Sequence, residues 1–323
     1  MMRSKKLISA ITTILCLLSG VVIAQDFPNK PVRIVIPFPA GGGTDILTRA
    51  IGQKLSEQWK QPIIIDNRPG GGANIGADHV AKSPADGYTL FMASTIHSIN
   101  VSLYPKLPYN FLKDLAPMGL VAETAQVLVL HPSVPASSVK EFITLLKSQP
   151  GKLSYSSAGN GSQPHLAAEL FKSMTGTDMI HVPYKGAPQA MSDLLAGHVS
   201  VSFATTPTAV PNVQNGKVKA LGVSSTKRVS SLPDVPTLAE SGVPGYDANG
   251  YFGLMGPAGV PQAVIDKINI SVMAIVRDPG MSKTLSDLGY EVSPSTPSEH
   301  AAFLRQEVAK WAKVVKESGA KID

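Results

Sequence analysis

The sequence predicts an α/β protein with mainly parallel sheets, and three observations carry that prediction. Short aliphatic runs of strand length alternate with segments of helical spacing along almost the whole chain. Aromatic residues make up 6% of the chain against 43% hydrophobic residues overall, which suits aliphatic strands covered by helices on both faces. At 323 residues the chain is long for one hydrophobic core and comfortable for two.

Residues 1–24 stand apart from that pattern. Arg3, Lys5 and Lys6 charge the start, residues 7–23 are apolar with small interruptions, and Val22-Ile23-Ala24 offers a leader-peptidase site. This is the pattern of a secretory signal peptide cut after Ala24. As a membrane anchor it would barely reach the roughly 18 residues a span needs, and no second such stretch follows. Cleavage leaves 299 of the 323 residues and lowers the formal charge from +6 to +3 as Arg3, Lys5 and Lys6 depart. The only cysteine, Cys16, leaves too, so the mature chain is expected to lack thiols, disulfides and thiolate metal sites. The remaining positive excess is not concentrated on any segment, which argues against nucleic-acid binding.

The elements then follow in order. Residues 32–37 read as a strand, closed by Gly41, Gly42 and Gly43, and Leu47, Ile51, Leu55 and Trp59 give the helix after it. Further strands are expected at 63–65, 88–93, 127–130, 153–156, 179–182, 199–203 and 218–223. Helices are expected at 139–146, 166–174 and 189–195, with a long amphipathic one at 299–316. Crossings between two domains are placed near 121–127 and 247–251. Residues 25–125 and 249–323 then form lobe 1, and 126–248 form lobe 2.

Two strand-glycine-helix turns carry the functional signal. The first is Gly41-Gly42-Gly43-Thr44-Asp45; the second is Ser157-Ala158-Gly159-Asn160-Gly161-Ser162, with Pro164 in the first turn of the next helix. Such turns aim bare N–H groups and the positive end of a helix dipole into the crevice at the carboxyl end of a sheet, where an anion is favoured. Set on two lobes, they face each other across a cleft. Neither contains Lys or Arg. Gly42 is expected to need a positive φ, so that a valine there would misplace the amides.

Other chemistries lack their patterns. There is no Gly-x-x-x-x-Gly-Lys-Ser/Thr, and the run Gly70 to Gly76 places its last glycine one position late for a dinucleotide fingerprint. No Gly-x-Ser-x-Gly elbow or His-Glu-x-x-His helix occurs. The seven histidines are scattered, with no pair at i, i+3 or i+4. No cofactor and no metal is expected.

Six separated segments resemble one family. Pro37-Phe38-Pro39-Ala40-Gly41-Gly42-Gly43-Thr44-Asp45, Asn67-Arg68-Pro69-Gly70-Gly71-Gly72-Ala73-Asn74-Ile75-Gly76, Ala85-Asp86-Gly87-Tyr88-Thr89-Leu90, Leu103-Tyr104-Pro105-Lys106-Leu107-Pro108-Tyr109, residues 156–165 and Val182-Pro183-Tyr184-Lys185-Gly186 look like the Bug family. These are periplasmic receptors of tripartite tricarboxylate transporters. The likeness covers essentially the whole mature chain; members differ at Phe38 and at Ile96-His97-Ser98-Ile99. It implies a two-lobed, Venus-flytrap binding protein of type II-like topology. Such a protein is not an enzyme; it is a monomer that holds a small carboxylate through backbone amides, hydroxyls and bridging waters.

Roles follow residue by residue. Ala40, Gly41, Gly42, Gly43 and Thr44 supply N–H and hydroxyl donors on the first lobe, with Ser157, Ala158, Gly159, Asn160, Ser162 and His165 on the second. Thr95, Thr205 and Thr206 sit where strand ends feed the cleft, and His97 lies close behind. Phe38 either covers an apolar ligand body or packs in the core. Asp45 either caps its own helix or pairs with Arg49 at i+4. Arg68 and Lys185 read as surface or partner-facing.

Three classes of function stay open on sequence grounds. A solute receptor for a dicarboxylate, terephthalate-like aromatic acids included, feeding membrane permease subunits is favoured. A ligand sensor docking on a signalling kinase has the same features, and a hydrolase would need a constellation built from distant residues.

Overall fold

The computed structural model describes residues 27–318 and residue 320; the leader, Cys16 and the cleavage point lie outside them. The chain opens with β1 (Val32–Ile36), α1 (Gly43–Trp59), β2 (Ile63–Asn67), a 3-10 turn (Gly71–Ala73), α2 (Asn74–Ala81), β3 (Thr89–Ser94), α3 (Thr95–Leu103) and β4 (Leu115–Thr124). It continues through β5 (Gln126–Leu130), α4 (Val139–Ser148), β6 (Ser154–Ser157), α5 (Gln163–Thr175), β7 (Ile180–Pro183) and α6 (Ala187–Leu195). Next come β8 (Val201–Thr205), α7 (Thr206–Gln214), β9 (Lys219–Val223), β10 (Gly250–Pro257), α8 (Gln262–Arg277), α9 (Pro279–Asp287), β11 (Glu291–Val292) and α10 (Pro297–Ser318).

Two sheets result, a six-stranded one in the order β11-β4-β10-β3-β1-β2 and a five-stranded one in the order β7-β6-β8-β5-β9. The first takes its strands from residues 32–124 and 250–292, the second from residues 126–223. Both sheets are mixed. β1 pairs in parallel with β2 and β3, and β6 with β7 and β8. The antiparallel pairings come from β10, set between β3 and β4, from β5, set between β8 and β9, and from the short edge strand β11. β5 and β10 are the strands entered just after each crossing, so the chain arrives at the opposite end of the sheet and inserts reversed. Helices flank both sheets, as the alternating pattern predicts.

Sequence periodicity is converted directly into packing in α1, where Leu47, Ile51 and Leu55 are no more than 1% exposed. The helix ends at Lys60 in the left-handed conformation. α5 begins with Pro164 in its first turn and ends at left-handed Gly176. Strand β8 begins two residues later than the sequence suggests and runs to Thr205.

Each lobe has apolar cores on its sheet faces. On the first sheet one core holds Ile34, Leu47, Leu90 and Ile268, and another holds Val35, Phe91, Phe111 and Leu304. On the second, Leu128, Phe142, Phe171 and Phe203 form one core and Val127, Val129, Met191 and Val223 another. α10 joins them: Leu304 belongs to a core of the first sheet, whereas Trp311 and Val315 are in the core around Phe171. Trp311 is fully buried, and its indole N–H donates to the Glu307 carboxylate at 2.8 Å.

Candidate ligand-binding site

The carboxyl ends of the central strands of both sheets face one cavity of about 690 Å³, its solvent-open mouth included. Loops from the two lobes meet over it. A Cβ built on Gly186 would lie 3.8 Å from the Pro39 ring, and one on Gly43 would lie 3.9 Å from the Pro207 ring.

Five helices begin at this cavity. Their N-cap residues, Gly42 of α1, Ser94 of α3, Ser162 of α5, Gly186 of α6 and Thr205 of α7, all line it. The first N–H groups of a helix have no intrahelical acceptor. In α1, α5, α6 and α7 no N-cap side chain takes them either. Only α3 is capped internally, by a box in which the Ser94 and His97 side chains serve each other's backbone. The positive ends of five helix dipoles therefore converge from two lobes, two from the first and three from the second.

No lining residue is charged; phenylalanines, prolines and Ile96 supply an apolar wall. Hydroxyls interrupt that wall. The Thr95 hydroxyl accepts the Tyr251 N–H at 2.9 Å, which leaves its own proton to donate. Thr205 exchanges a 3.0 Å hydrogen bond with Thr208, and the Ser162 hydroxyl donates to the Gly159 carbonyl at 2.6 Å.

The residues named from sequence divide into two groups. Phe38, Gly42, Gly43, Thr44, Thr95, Ala158, Ser162 and Thr205 line the cavity. Phe38 thus stands in the cleft wall instead of the core. Ala40, Gly41, Asp45, His97, Gly159, Asn160, His165 and Thr206 do not line it, and Ser157 lines only an adjoining pocket of about 230 Å³.

The second group holds the loops in shape. Asp45 is 4% exposed and accepts from the Gly41 N–H at 3.0 Å, the Asn67 amide at 3.0 Å and the Arg49 guanidinium at 2.9 Å. Burial pushes its pKa up, but the Arg49, Gly41 and Asn67 hydrogen bonds outweigh it and hold the carboxyl below its ordinary range. Asp45 thus makes the i+4 pair with Arg49 and ties down the turn before its helix. His97 is fully buried between Phe91 and Phe111, and burial lowers its pKa to about 4. Its Nδ1 serves Ser94 and cannot serve a ligand as well. Ser157 bonds His181 Nε2 at 2.6 Å, and His165 Nδ1 accepts the Gly161 N–H at 3.0 Å. The Thr206 hydroxyl bonds Thr124 at 2.8 Å and the Gly289 carbonyl, joining the lobes beneath the cleft.

One backbone expectation is overturned. Gly42 is extended, at φ −81°, and a Cβ there would make only an ordinary 3.7 Å contact with the Pro39 carbonyl. The positive φ of this turn belongs to Gly41, at +83°.

Sequence reasoning missed Ser94, Ile96, Gln163 and the Gly186-Ala187-Pro188 turn, along with Tyr251 and Phe252 on β10. Gly186 followed by Pro188 was a visible helix-start signal; Ser94 was not, because α3 begins directly at the end of β3 with no glycine between. Among the described residues no group of three or more His, Cys, Asp or Glu side chains is placed to hold a metal ion.

Two α/β lobes that aim helix N-termini from both sides into one uncharged cavity define a two-lobed solute-binding receptor. The model of the family described as "Tripartite tricarboxylate transporter family receptor" matches residues 47–320, and the chain belongs to that family. It is 35% identical to Protein BugT of Bordetella pertussis over 303 residues, 93% of each chain. Among solved structures it is similar to R. palustris Rpa4515 with adipate, at 36% identity and a TM-score of 0.89, covering 92% of this chain and 100% of that one. It is also similar to MatC from Rhodopseudomonas palustris with bound malate, at 32% identity and a TM-score of 0.84, covering 90% and 100%. The family so described is one of receptors, not of enzymes.

Proposed function

We propose that the protein is the periplasmic receptor of a tripartite tricarboxylate-type transporter, exported by its leader, and that it captures a small dicarboxylate between its lobes for delivery to the membrane permease subunits. The observation that carries this reading is the convergence of five helix N-termini on a cavity with no charged lining side chain. Each terminus contributes roughly 0.3 to 1 kcal/mol toward an anion, and each hydrogen bond to a charged group roughly 1.5 to 3 kcal/mol. Micromolar binding needs about 8 kcal/mol net, so a few backbone donors from each lobe suffice without an arginine.

Donors on both walls favour two acidic ends over one. A monoacid would leave one wall's N–H groups buried without partners, at about 1 to 3 kcal/mol each. The space between is bordered by Phe38, Ile96 and Phe252, which suits an aliphatic or aromatic body better than the third carboxylate and hydroxyl of citrate. Adipate and malate in the two solved relatives support the same class. The lobes are taken as residues 25–125 with 249–323, and 126–248, a division that the membership of the two sheets supports.

The test is calorimetric titration of mature protein, stripped of co-purified ligand, with adipate, malate and the mono-amide of adipate. A diacid is expected to bind at micromolar Kd or tighter, and the mono-amide at least tenfold more weakly, about 1.4 kcal/mol. Equal affinity for diacid and mono-amide removes the second anchoring point. Absence of binding to either diacid overturns the reading.

A further inference from the structure

Tyr290, in the turn between α9 and β11, is 0% exposed in a core of the first sheet, its ring edge-on to Phe252 at 5.8 Å. Its hydroxyl donates to the Gly43 carbonyl at 2.6 Å. A phenylalanine would fill the same core with no polar atom to satisfy, so what distinguishes a tyrosine here is the group its hydroxyl holds. Burial pushes the phenol's pKa up, so this donor keeps its proton at neutral pH.

Gly43 is the first residue of α1 and lines the cavity, as does Thr44. The Asp45 and Ile46 N–H groups both turn back to the Gly42 carbonyl, at 3.0 and 3.1 Å, so the donors this terminus offers a ligand are the N–H groups of Gly43 and Thr44. The Gly43 carbonyl and the Thr44 N–H belong to one peptide group. A hydrogen bond accepted by that carbonyl polarises the group and makes its N–H a stronger donor.

The turn that carries Tyr290 also bears on the other lobe. The Gly289 carbonyl accepts the Thr206 hydroxyl, and a Cβ on Gly289 would lie 2.9 Å from the Pro207 nitrogen, so the turn is seated against the start of α7. On its far side the Glu291 carboxylate accepts the Ser230 N–H at 3.0 Å and the Ser230 hydroxyl at 2.7 Å. Tyr290 stands between these two ties.

We infer that Tyr290 is a positioning residue of the ligand site: its hydroxyl fixes the Gly43–Thr44 peptide and strengthens the N–H that this peptide turns to the ligand's carboxylate. This rests on the dicarboxylate reading above.

The experiment compares wild type, Tyr290→Phe and Tyr246→Phe, each stripped of ligand, in thermal melts and in titrations with adipate, malate and the mono-amide of adipate. Tyr246 is the matched control: it is buried too, its hydroxyl donates to the Ala167 carbonyl at 2.6 Å, and it does not line the cavity. Both variants are expected to melt below wild type. Only Tyr290→Phe is expected to weaken adipate, by about threefold or more, and it should lose less toward the mono-amide, which turns its neutral end to the weakened wall. Unchanged adipate affinity in Tyr290→Phe, equal losses for adipate and its mono-amide, or the same loss in Tyr246→Phe overturns the inference and leaves the receptor reading intact. Failure of wild type itself to bind either diacid overturns both. Should Tyr290→Phe fail to fold, the exposed Glu291→Ala, which frees the same turn from Ser230, decides by the same comparison.

Discussion

If helix N–H groups hold the anion, a carboxylate built into the chain at one of those termini should evict it. Gly42→Asp does this without strain. The backbone at Gly42 is extended and a Cβ meets nothing closer than 3.7 Å, so aspartate adopts the ordinary N-cap geometry and accepts from the first N–H groups of α1. The helix gains about 0.5 to 1 kcal/mol from the new cap and the charge at its positive end. The ligand loses two charge-assisted hydrogen bonds, about 3 to 6 kcal/mol. It also faces a like charge, which at ~4 Å and an effective dielectric constant of ~20 adds about 4 kcal/mol. Even the low end of the ligand's loss, about 3 kcal/mol, exceeds a hundredfold in Kd. Calorimetry with adipate, beside thermal melts of the ligand-free protein, measures both effects; Gly42→Ala is the control, expected to stay within tenfold of wild type. A Gly42→Asp protein that binds within threefold of wild type, or an alanine variant as damaged as the aspartate one, would refute the argument that backbone donors anchor the ligand.

Four further outcomes are expected. Phe38→Ala should weaken adipate more than malate in the same titration, because its ring borders the ligand's carbon body; equal losses would return Phe38 to a packing role. Asp45→Ala removes acceptors from Gly41, Asn67 and Arg49 and should lower stability by about 1 to 3 kcal/mol in denaturant melts, whereas an unchanged midpoint would mean the turn is held otherwise. Affinity for adipate should be flat from pH 6 to 9, since no lining side chain titrates; a bell or step would expose an ionisable anchor. Stability should instead fall with acid. Burial lowers His97 to about 4 and His300 to about 3, so between pH 6.5 and 4 the unfolded chain takes up protons the fold refuses. Their contribution is complete above pH 6.5 and is lost as pH drops, by about 2.7 kcal/mol per pH unit for the pair. A slope in His97→Gln as steep as in wild type would contradict the assignment for His97.

The α/β pattern, the two lobes' worth of strands and the two glycine turns were legible because they are local. Residues 47–59 keep helical period, and Gly41 to Gly43 advertise a break in it. β4 and β10 were not legible. β4 carries Pro117 and Gly119, β10 carries three glycines, and their pairing slips register twice, so neither shows clean alternation. Both lie at the crossings, where tertiary pairing and not propensity makes the strand. Residues at four of the five helix starts were named from sequence, the two glycine turns, Thr95 on α3 and Thr205 before α7, and the Gly186 start of α6 was missed. α3 and α7 begin directly at strand ends, Ser94 and Thr205, where a hydroxyl residue looks the same whether it caps a helix, lines a cleft or packs in a loop. His97 shows the converse: it lies close behind Thr95, but it is buried between Phe91 and Phe111 and its Nδ1 is spent in its own helix cap. Thr206 errs likewise, since a buried hydroxyl bridging two lobes cannot be told in sequence from one beside it that faces a cavity.

One helix with Leu304 in the first lobe's core and Trp311 in the second's sets the mechanics of the whole molecule. α10 pins the lobes at the back, and Thr124, Thr206 and Gly289 tie them beneath the cleft, so on the receptor reading proposed above the movement to expect is an opening like a book about that spine. The covers then move and the spine does not. On the proposed transporter reading, the fore-edge where Pro39 and Gly186 come together is where a membrane partner touching both lobes at once would tell full receptors from empty ones.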